Sequence, residues 1–225
     1  GNVVWYSYAG GIFAHDGEIT GSGSLTLTGL GSGSQNPGGY FEFYGTNTAF
    51  SGPVTLTISS GNGAPSTEID VHKRRKFETL YLNDGRNLGG AMSPADPKGV
   101  SIDNCSMVIT RNSLTVDEPT RGWFISYMGR FNVISNDHVM TFKSPLAVYG
   151  ILGKEGEGML VMGNPQPTFG PAGTDTTPDA DSTNRQFVVS GGDVKVTSAY
   201  ALNGLDIICT NTVSKFILDA ETENA

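Results

Sequence analysis

Closely spaced carboxylates are the residues of this sequence best suited to acid–base chemistry. Asp16 with Glu18 and Asp117 with Glu118 form such pairs, and Asp103 stands alone. Glycosidases and polysaccharide lyases cleave sugar chains with paired carboxylates, or with a basic residue and calcium. All five residues also stand in turns or at strand ends, where carboxylates are commonly solvated. We therefore expect a turn role for each of them.

The histidines and serines do not form a catalytic pattern. His15, His72 and His138 stand in separate turn-like contexts, without the HExxH spacing of a zinc site. The segment from Gly31 to Gln35 approaches the Gly-x-Ser-x-Gly elbow of serine hydrolases and lacks its final glycine. A serine hydrolase is therefore not expected.

Three aspartates in a proline-rich segment are the candidates for a calcium site. Asp175, Asp179 and Asp181 lack the interleaved glycines of an EF-hand loop or of the calcium-binding nonapeptide repeat. We predict no catalytic residue, no cofactor site and no metal site for this chain.

Nine aromatic residues are candidates for a platform on which sugar rings stack. They are Trp5, Tyr6, Tyr8, Tyr40, Phe41, Phe43, Tyr44, Trp123 and Tyr127. Aromatic side chains in strands more often pack in the core. Core packing is therefore the expectation, and glycan stacking is the alternative.

The charge of the chain disfavours nucleic acid as a partner. The net charge is −8, from 22 acidic and 14 basic residues, and an acidic surface repels phosphate backbones. The one basic cluster, His72–Lys76, is interpreted as a solvated strand end or loop. Cys105 and Cys209 belong to no CxxC pair. We expect two buried free thiols, and a single disulfide stays open.

The residues from Arg121 to Pro165 indicate how the chain is built. Short apolar runs alternate there with Gly, Asn, Asp and Pro, the residues that turn a backbone. The runs are 124–127, 131–134, 139–142, 146–152 and 159–162. None keeps a helical period for three turns or is long enough to cross a membrane. Gly makes up 31 of 225 residues and charged residues only 16 %, so an all-β chain with tight turns is predicted.

Strict alternation elsewhere supports half-buried strands. Leu25 and Leu27 point away from Thr26 and Thr28, as expected for a period of two residues. Residues 68–77 are predicted to be either a short helix or a charged strand. Residues 164–186 hold four of the 11 prolines and are predicted to be a surface loop insertion, and residues 220–225 a frayed tail.

A repeated motif points to strands stacked in coils. Gly21–Leu27 and Gly156–Met162 both read Gly-x-Gly-x-Leu followed by a strand, and repeats with variable insertions are typical of solenoids. Asn residues at turns suit such coils, because their side chains hydrogen-bond from one coil to the next. The candidates are Asn47, Asn83, Asn87, Asn104, Asn112, Asn132, Asn136, Asn203 and Asn211.

These residues carry a resemblance to a known family. Gly23–Gly29, then Gly45–Gly52 and the strand from Val54, resemble the autotransporter-associated β-strand repeat of bacterial passenger domains. The order of strands between Arg121 and Met162 is similar to that family's recurring coil. An insertion from Leu30 to Tyr44 splits the first repeat, and Asn164-Pro165 replaces the Asn-Thr element after the second.

The resemblance implies a right-handed parallel β-helix, of about ten coils at a typical solenoid repeat of about 20–25 residues; a Greek-key β-sandwich is the alternative. Residues 1–225 would form one solenoid domain, a fragment of a longer exported protein whose C-terminal outer-membrane barrel is absent from this chain. The implied function is a non-enzymatic scaffold, secreted or on the bacterial cell surface. It would work as an adhesin that presents loops 31–39, 61–67 and 164–186 to glycans or proteins. The alternative is a carbohydrate-active β-helix enzyme.

Overall fold

The computed structural model describes residues 1–8, 11–31, 40–60, 77–102, 106–126, 128–164, 185–198, 201–202, 205–212 and 214–219. These residues form nineteen β-strands and no helix. In these ranges there is accordingly no apolar helix of membrane-spanning length. The all-β prediction is confirmed.

The strands belong to three sheets. Sheet A contains, in spatial order, β1 (Val3–Tyr8), β3 (Leu25–Gly31), β5 (Val54–Ser60), β7 (Asp96–Ile102), β10 (Arg121–Ile125) and β13 (Leu146–Val148). Sheet B contains β2 (Ile12–His15), β4 (Tyr40–Phe43), β6 (Phe77–Leu82), β8 (Ser106–Thr110), β11 (Met128–Val133), β14 (Ile151–Glu155), β16 (Gln186–Val189) and β18 (Asp206–Cys209). Sheet C contains β9 (Leu114–Val116), β12 (Val139–Phe142), β15 (Met159–Met162), β17 (Val194–Val196) and β19 (Phe216–Leu218).

Every strand pairing within the described residues is parallel. Consecutive strands lie in different sheets, and each pairs with a strand one pass later: Trp123 with Leu146 and Gln186 with Asp206. These long parallel sheets are compatible with a parallel β-helix. They are unlike a Greek-key sandwich, whose sheets are antiparallel.

We call one pass of the chain through the sheets a layer and number it by its strand in sheet B. Layer 1 thus contains β2 and layer 8 contains β18. Sheet B has eight strands within the described residues, which defines eight layers there; about ten coils were predicted for the whole chain.

One apolar core receives side chains from all three sheets. Leu27 and Leu56 from sheet A, Phe41 from sheet B and Met140 from sheet C belong to a single cluster and are fully buried. Because β3 and β5 pair in parallel without a register shift, like residues stack there: Leu25 on Val54 and Leu27 on Leu56. The predicted inward face of β3 is confirmed.

Two sequence interpretations need correction. The apolar run 146–152 is not one strand, since Tyr149 and Gly150 bend between β13 and β14. The two Gly-x-Gly-x-Leu motifs do not occupy equivalent positions, because one leads into sheet A and the other into sheet C. Their first glycines share only the backbone conformation, with φ of 101° at Gly21 and 75° at Gly156. Such a glycine fits a sharp corner between any two sheets.

Asn side chains tie the turns of successive layers, as predicted. Asn47 is fully buried; its Oδ1 accepts the Ile19 amide at 2.7 Å, and its Nδ2 donates to the Asn87 carbonyl. Asn87 in turn donates Nδ2 to the Gly45 carbonyl at 2.8 Å. Asn83 donates Nδ2 to the Phe43 carbonyl at 2.8 Å. These bonds satisfy backbone groups where no strand pairing can.

Some predictions fall outside the described residues. These are residues 165–184 of the long loop, the tail 220–225, Cys105, and the helix or strand predicted at 68–77 apart from Phe77. Cys209 is a free thiol and is exposed, so the expectation of a buried thiol there is wrong. It lies on β18, an edge strand of sheet B.

Candidate functional site

The outer side of sheet B carries a row of stacked side chains. Phe41 and Phe43 face the core, so Glu42 between them faces outward, as Tyr81 does between Leu80 and Leu82. The register aligns Glu42 with Tyr81. Further along the same row stand Ile109, Asn132 and Glu155.

A cluster of aromatic and charged groups lies at the first end of this row. We call Tyr40, Glu42, Tyr44, Tyr81 and Arg111 the Tyr81 cluster. The Arg111 guanidinium lies 3.9 Å from the centre of the Tyr81 ring, and its Nη1 is 2.9 Å from Glu42 Oε1. The Tyr40 and Tyr81 ring centres are 4.7 Å apart. Arg111 thus reaches from layer 4 across layer 3 to an acid in layer 2.

The electrostatics of the Tyr81 cluster are set by the Glu42 carboxylate. Its side chain is only 8 % exposed, whereas that of Arg111 is 45 % exposed. Hydrogen bonding to Glu42, with burial and the charge of Glu42 as smaller causes, raises the pKa of the exposed Tyr44 phenol. The cluster therefore presents one cation and a phenol to solvent above a shielded acid.

A second ion pair lies farther along the same face. Arg130 Nε is 3.2 Å from Glu155 Oε1, and the arginine side chain is 1 % exposed. A Cβ at Gly153 would lie 2.9 Å from Arg130 Cγ, so glycine leaves the room in which this side chain lies. The pair joins layers 5 and 6.

Arg121 is a buried cation whose partners are backbone carbonyls. Its Nε donates to Gly90 at 2.9 Å, Nη1 to Gly52 at 2.8 Å and to Gly99 at 3.1 Å, and Nη2 to Phe50 at 3.0 Å. Burial lowers its pKa to about 10, so it stays charged at neutral pH. These bonds connect layers 2, 3, 4 and 5, which indicates a structural role.

Lys154 occupies an inward position that aromatic or aliphatic side chains fill in neighbouring layers. It pairs with Phe131 and Val189, both fully buried. Its Nζ donates to the carbonyls of Glu155, Gly156 and Gly191 at 2.6, 3.1 and 3.0 Å. Burial lowers the pKa of Lys154 to about 8. The amine therefore holds the turns of layers 6 and 7 together.

The paired carboxylates of the sequence have turn roles where the structure describes them. Glu118 accepts the Thr120 amide at 3.2 Å and its hydroxyl at 2.8 Å. Asp117 lies 3.9 Å from Arg86 on the surface, and Asp16 and Glu18 are exposed in the turn after β2. Asp103 lies outside the described residues, as do the three loop aspartates 175, 179 and 181.

The two described histidines lie apart in the fold. His15, in layer 1, packs between Trp5 and Phe43, with ring centres 5.4 and 5.9 Å away. His138 lies in the turn before β12, in layer 5. His72 lies outside the described ranges. Among the residues with described positions, no group of three His, Cys, Asp or Glu side chains could hold a metal ion.

The nine candidate aromatics do not form one platform. Phe41, Phe43 and Trp123 are buried in the core, and Trp5 packs against it. Tyr40 and Tyr44 face outward in the Tyr81 cluster, and Tyr6 is exposed on sheet A. The side chains of Tyr8 and Tyr127 are not among those described. Core packing is confirmed for Phe41, Phe43 and Trp123, and glycan stacking stays a prediction for the outward tyrosines.

Sequence reasoning missed Glu42, Tyr81 and Arg111. The alternation around Phe41 and Phe43 was a usable signal for Glu42, because inward phenylalanines place the residue between them outside. The contact of Glu42 with Arg111 spans 69 positions and depends on the length of the connection from β5 to β6. No local sequence pattern predicts the register between layers that brings Glu42 and Arg111 together.

The exposed groups of the Tyr81 cluster are suited to binding a ligand. Tyr44 and Arg111 offer a flat ring, a phenol and a guanidinium to solvent, a combination that suits sugar hydroxyls or acidic side chains. Glu42 is the cluster's one carboxylate. Comparison of the chain with family models, curated proteins and solved structures yields no match.

Proposed function

We propose that the chain is a right-handed parallel β-helix of the autotransporter passenger type. It serves as a non-enzymatic scaffold, secreted or held at the bacterial cell surface, and it contacts glycans or proteins. It belongs to a longer exported chain that includes an outer-membrane barrel. The observation that carries the fold is the parallel stack, in which a residue meets its partner about one solenoid repeat later.

The Tyr81 cluster supports the contact role. Tyr40, Glu42 and Tyr81 lie on strands of a stacked sheet, and Tyr44 and Arg111 directly follow β4 and β8, so the core beneath these strands holds the groups in place. Arg111 is partly exposed and is oriented by both Glu42 and Tyr81. Because its orientation is already fixed, little conformational entropy is lost when a ligand docks on it.

The test is binding to a glycan array and to immobilised matrix proteins. We expect the wild-type chain to bind at least one of these ligands, and Arg111→Ala and Tyr44→Ala to weaken that binding by about tenfold or more, the effect of about 1.4 kcal/mol. Arg86→Ala, which removes an exposed arginine elsewhere, is the matched control and should bind as the wild type does. Absence of binding, or equal binding by all variants, would refute the contact role.

A carbohydrate-active enzyme is the second candidate, and Glu42 is the observation that favours it. A shielded carboxylate beside a guanidinium on an outer face is suited to acid–base work, and the charge of Asp16 also acts at Tyr44. Release of reducing ends or unsaturated products from polysaccharides is the measurement. We expect none; turnover that disappears in Glu42→Gln would replace the scaffold proposal with this one.

A further inference from the structure

The charge of Arg111 is balanced within the Tyr81 cluster itself. Its Nη1 lies 2.9 Å from Glu42 Oε1, and its guanidinium lies 3.9 Å from the centre of the Tyr81 ring, whose face attracts a cation. Burial disfavours the charged form of Arg111, but the interactions with Tyr81 and the charge of Glu42 outweigh it and raise the pKa of Arg111. The cation therefore has an acid and an aromatic ring as partners before any ligand binds.

The surface beside Arg111 carries more negative than positive charge. Tyr44 follows β4 and donates its amide to the His15 carbonyl at 3.0 Å, so the exposed Asp16 lies next to it in layer 1. Hydrogen bonding to Glu42 is the largest cause of the raised pKa of the Tyr44 phenol, and burial adds to it. The charges of Glu42 and Asp16 also raise this pKa, whereas the charge of Arg111 lowers it. Two acids and one base thus act at the phenol.

Such a surface disfavours an acidic ligand. A carboxylate of the ligand would compete with Glu42 for Arg111, and both Glu42 and Asp16 would repel it. The net charge of −8 on the whole chain adds a further repulsion. A neutral ligand avoids these costs, because it leaves the ion pair between Arg111 and Glu42 in place.

The exposed groups suit the two kinds of surface that a neutral sugar offers. The Tyr44 residue is 53 % exposed, and its ring can stack on the apolar face of a sugar. The Arg111 side chain is 45 % exposed, and its planar N–H groups can donate to hydroxyl oxygens. Two side chains expose far less area than the roughly 800 Å² that each partner buries in a stable protein interface. The site is therefore closer in size to a sugar than to a protein surface.

We propose that the Tyr81 cluster binds a neutral glycan and discriminates against acidic ones, and that Glu42 sets this specificity. The inference rests on the contact role proposed above and narrows its ligand to one chemical class. Glu42 is a specificity-determining residue that acts through Arg111, since its own side chain is only 8 % exposed.

The experiment is calorimetric titration of the 225-residue chain with dextran, galactan and mannan as neutral probes and polygalacturonate as the acidic probe. We expect the wild type to bind at least one neutral probe, with an affinity that differs less than about twofold between low and high salt, because no ion pair forms with the ligand. Polygalacturonate should bind at least about fivefold more weakly, the effect of one exposed charge pair. Arg111→Lys keeps the charge and loses the planar fork, so it should weaken binding of the neutral probe nearly as much as Arg111→Ala does.

Glu42→Gln tests the specificity directly. Glutamine keeps an acceptor for Arg111 and removes the opposing charge, so binding of polygalacturonate should increase about fivefold and should weaken in high salt. Asp16→Asn, on the surface, should act in the same direction. Glu157→Gln, which removes an exposed acid in layer 6, is the matched control and should bind each probe as the wild type does.

The variants also separate the cluster from the basic residues 72–76. These residues are the same in every variant, so a difference between variants cannot come from them. Circular dichroism checks that each variant is folded.

The outcomes distinguish this inference from the contact role. A wild type that prefers polygalacturonate, or that binds matrix proteins and no neutral probe, would keep the contact role and overturn the neutral-glycan inference. Polygalacturonate binding that is unchanged in both Glu42→Gln and Asp16→Asn would overturn the specificity given to Glu42. Absence of binding to every glycan and protein would refute the contact role, and the inference with it.

Discussion

Arg121 shows how a single side chain can stabilise several layers at once. Its guanidinium donates to four carbonyls, three of them on glycines. A Cβ at Gly89 would lie 2.5 Å from Arg121 Nη2, so the surrounding glycines leave the space that the side chain fills. The arginine and these glycines form one unit.

We predict that Arg121→Met lowers the free energy of unfolding by about 3 kcal/mol, because buried carbonyls lose their donors. Urea unfolding monitored by circular dichroism measures it. Arg86→Met, which removes an exposed arginine, should change stability by less than about 0.5 kcal/mol. Equal effects of the two substitutions would contradict the role given to Arg121.

Lys154 makes stability depend on pH in the alkaline range. Burial lowers its pKa from 10.5 to about 8, while the unfolded chain keeps the ordinary value. Between these two values the unfolded state binds more protons, so stability rises with pH. Below about pH 8 the lysine is protonated in both states and its contribution is constant. Asp193 and Glu155 oppose the shift by favouring the charged amine.

We predict that the wild type gains on the order of 3 kcal/mol relative to Lys154→Met between pH 8 and 10.5, since each pKa unit corresponds to about 1.4 kcal/mol. Unfolding free energies of both proteins at several pH values measure this difference. Lys143→Met removes an exposed lysine and should follow the wild type. A constant difference across the range would show that Lys154 keeps its ordinary pKa.

At the scale of elements, the corners between sheets limit which residues fit. Gly156 and Gly21 both have positive φ, yet their surroundings differ. A Cβ at Gly156 would overlap the Val133 carbonyl, whereas one at Gly21 would meet nothing within 4 Å. Substitutions at these two glycines therefore distinguish two losses of stability, one from a left-handed backbone and one from the steric crowding of an added Cβ.

We predict that Gly21→Ala costs about 1 kcal/mol, the usual penalty of a left-handed backbone for a residue with a side chain. Gly156→Ala should cost at least about 1 kcal/mol more, because the turn must also move away from layer 5. Thermal unfolding of both variants gives the comparison. If the two lose equal stability, crowding at this corner is unimportant.

Strand positions were predictable from the sequence, and corners were not. Alternation located β3, because an inward face of leucine leaves a period of two residues, and a short apolar run located β12. Nothing in the sequence indicated the bend at Tyr149 and Gly150, since the residues on either side of it, 146–148 and 151–152, are buried and apolar. The Tyr81 cluster could not be predicted from the sequence for another reason. Its members come from three layers, and local residues do not encode the register between layers.

For the whole molecule, stacking predicts a gradient of stability. Strands pair only with those of adjacent layers, so within the described residues layers 1 and 8 have one such neighbour and the layers between them have two. All four residues of β18 are exposed, whereas five of the six in β11 are buried. Local opening is therefore easiest at the ends.

We predict that backbone amides of β8, β11 and β14 exchange with deuterium at least about a hundredfold more slowly than those of β1 and β18, as expected for local opening. Hydrogen exchange with peptide-level mass spectrometry measures it. Uniform protection along the chain would mean that the layers open as one unit.

The hydrogen bonds that Arg121 donates to several layers also affect how the molecule resists a mechanical load. A stack pulled apart from its first layer can yield one strand at a time, since each parallel pairing is broken in turn. We expect this stepwise opening to stop at layer 2. There the carbonyls of Phe50 and Gly52 accept hydrogen bonds from the Arg121 guanidinium, which also donates to the carbonyls of Gly90 and Gly99. Arg121 therefore links four layers, and a higher pulling force is needed before the chain can unfold further.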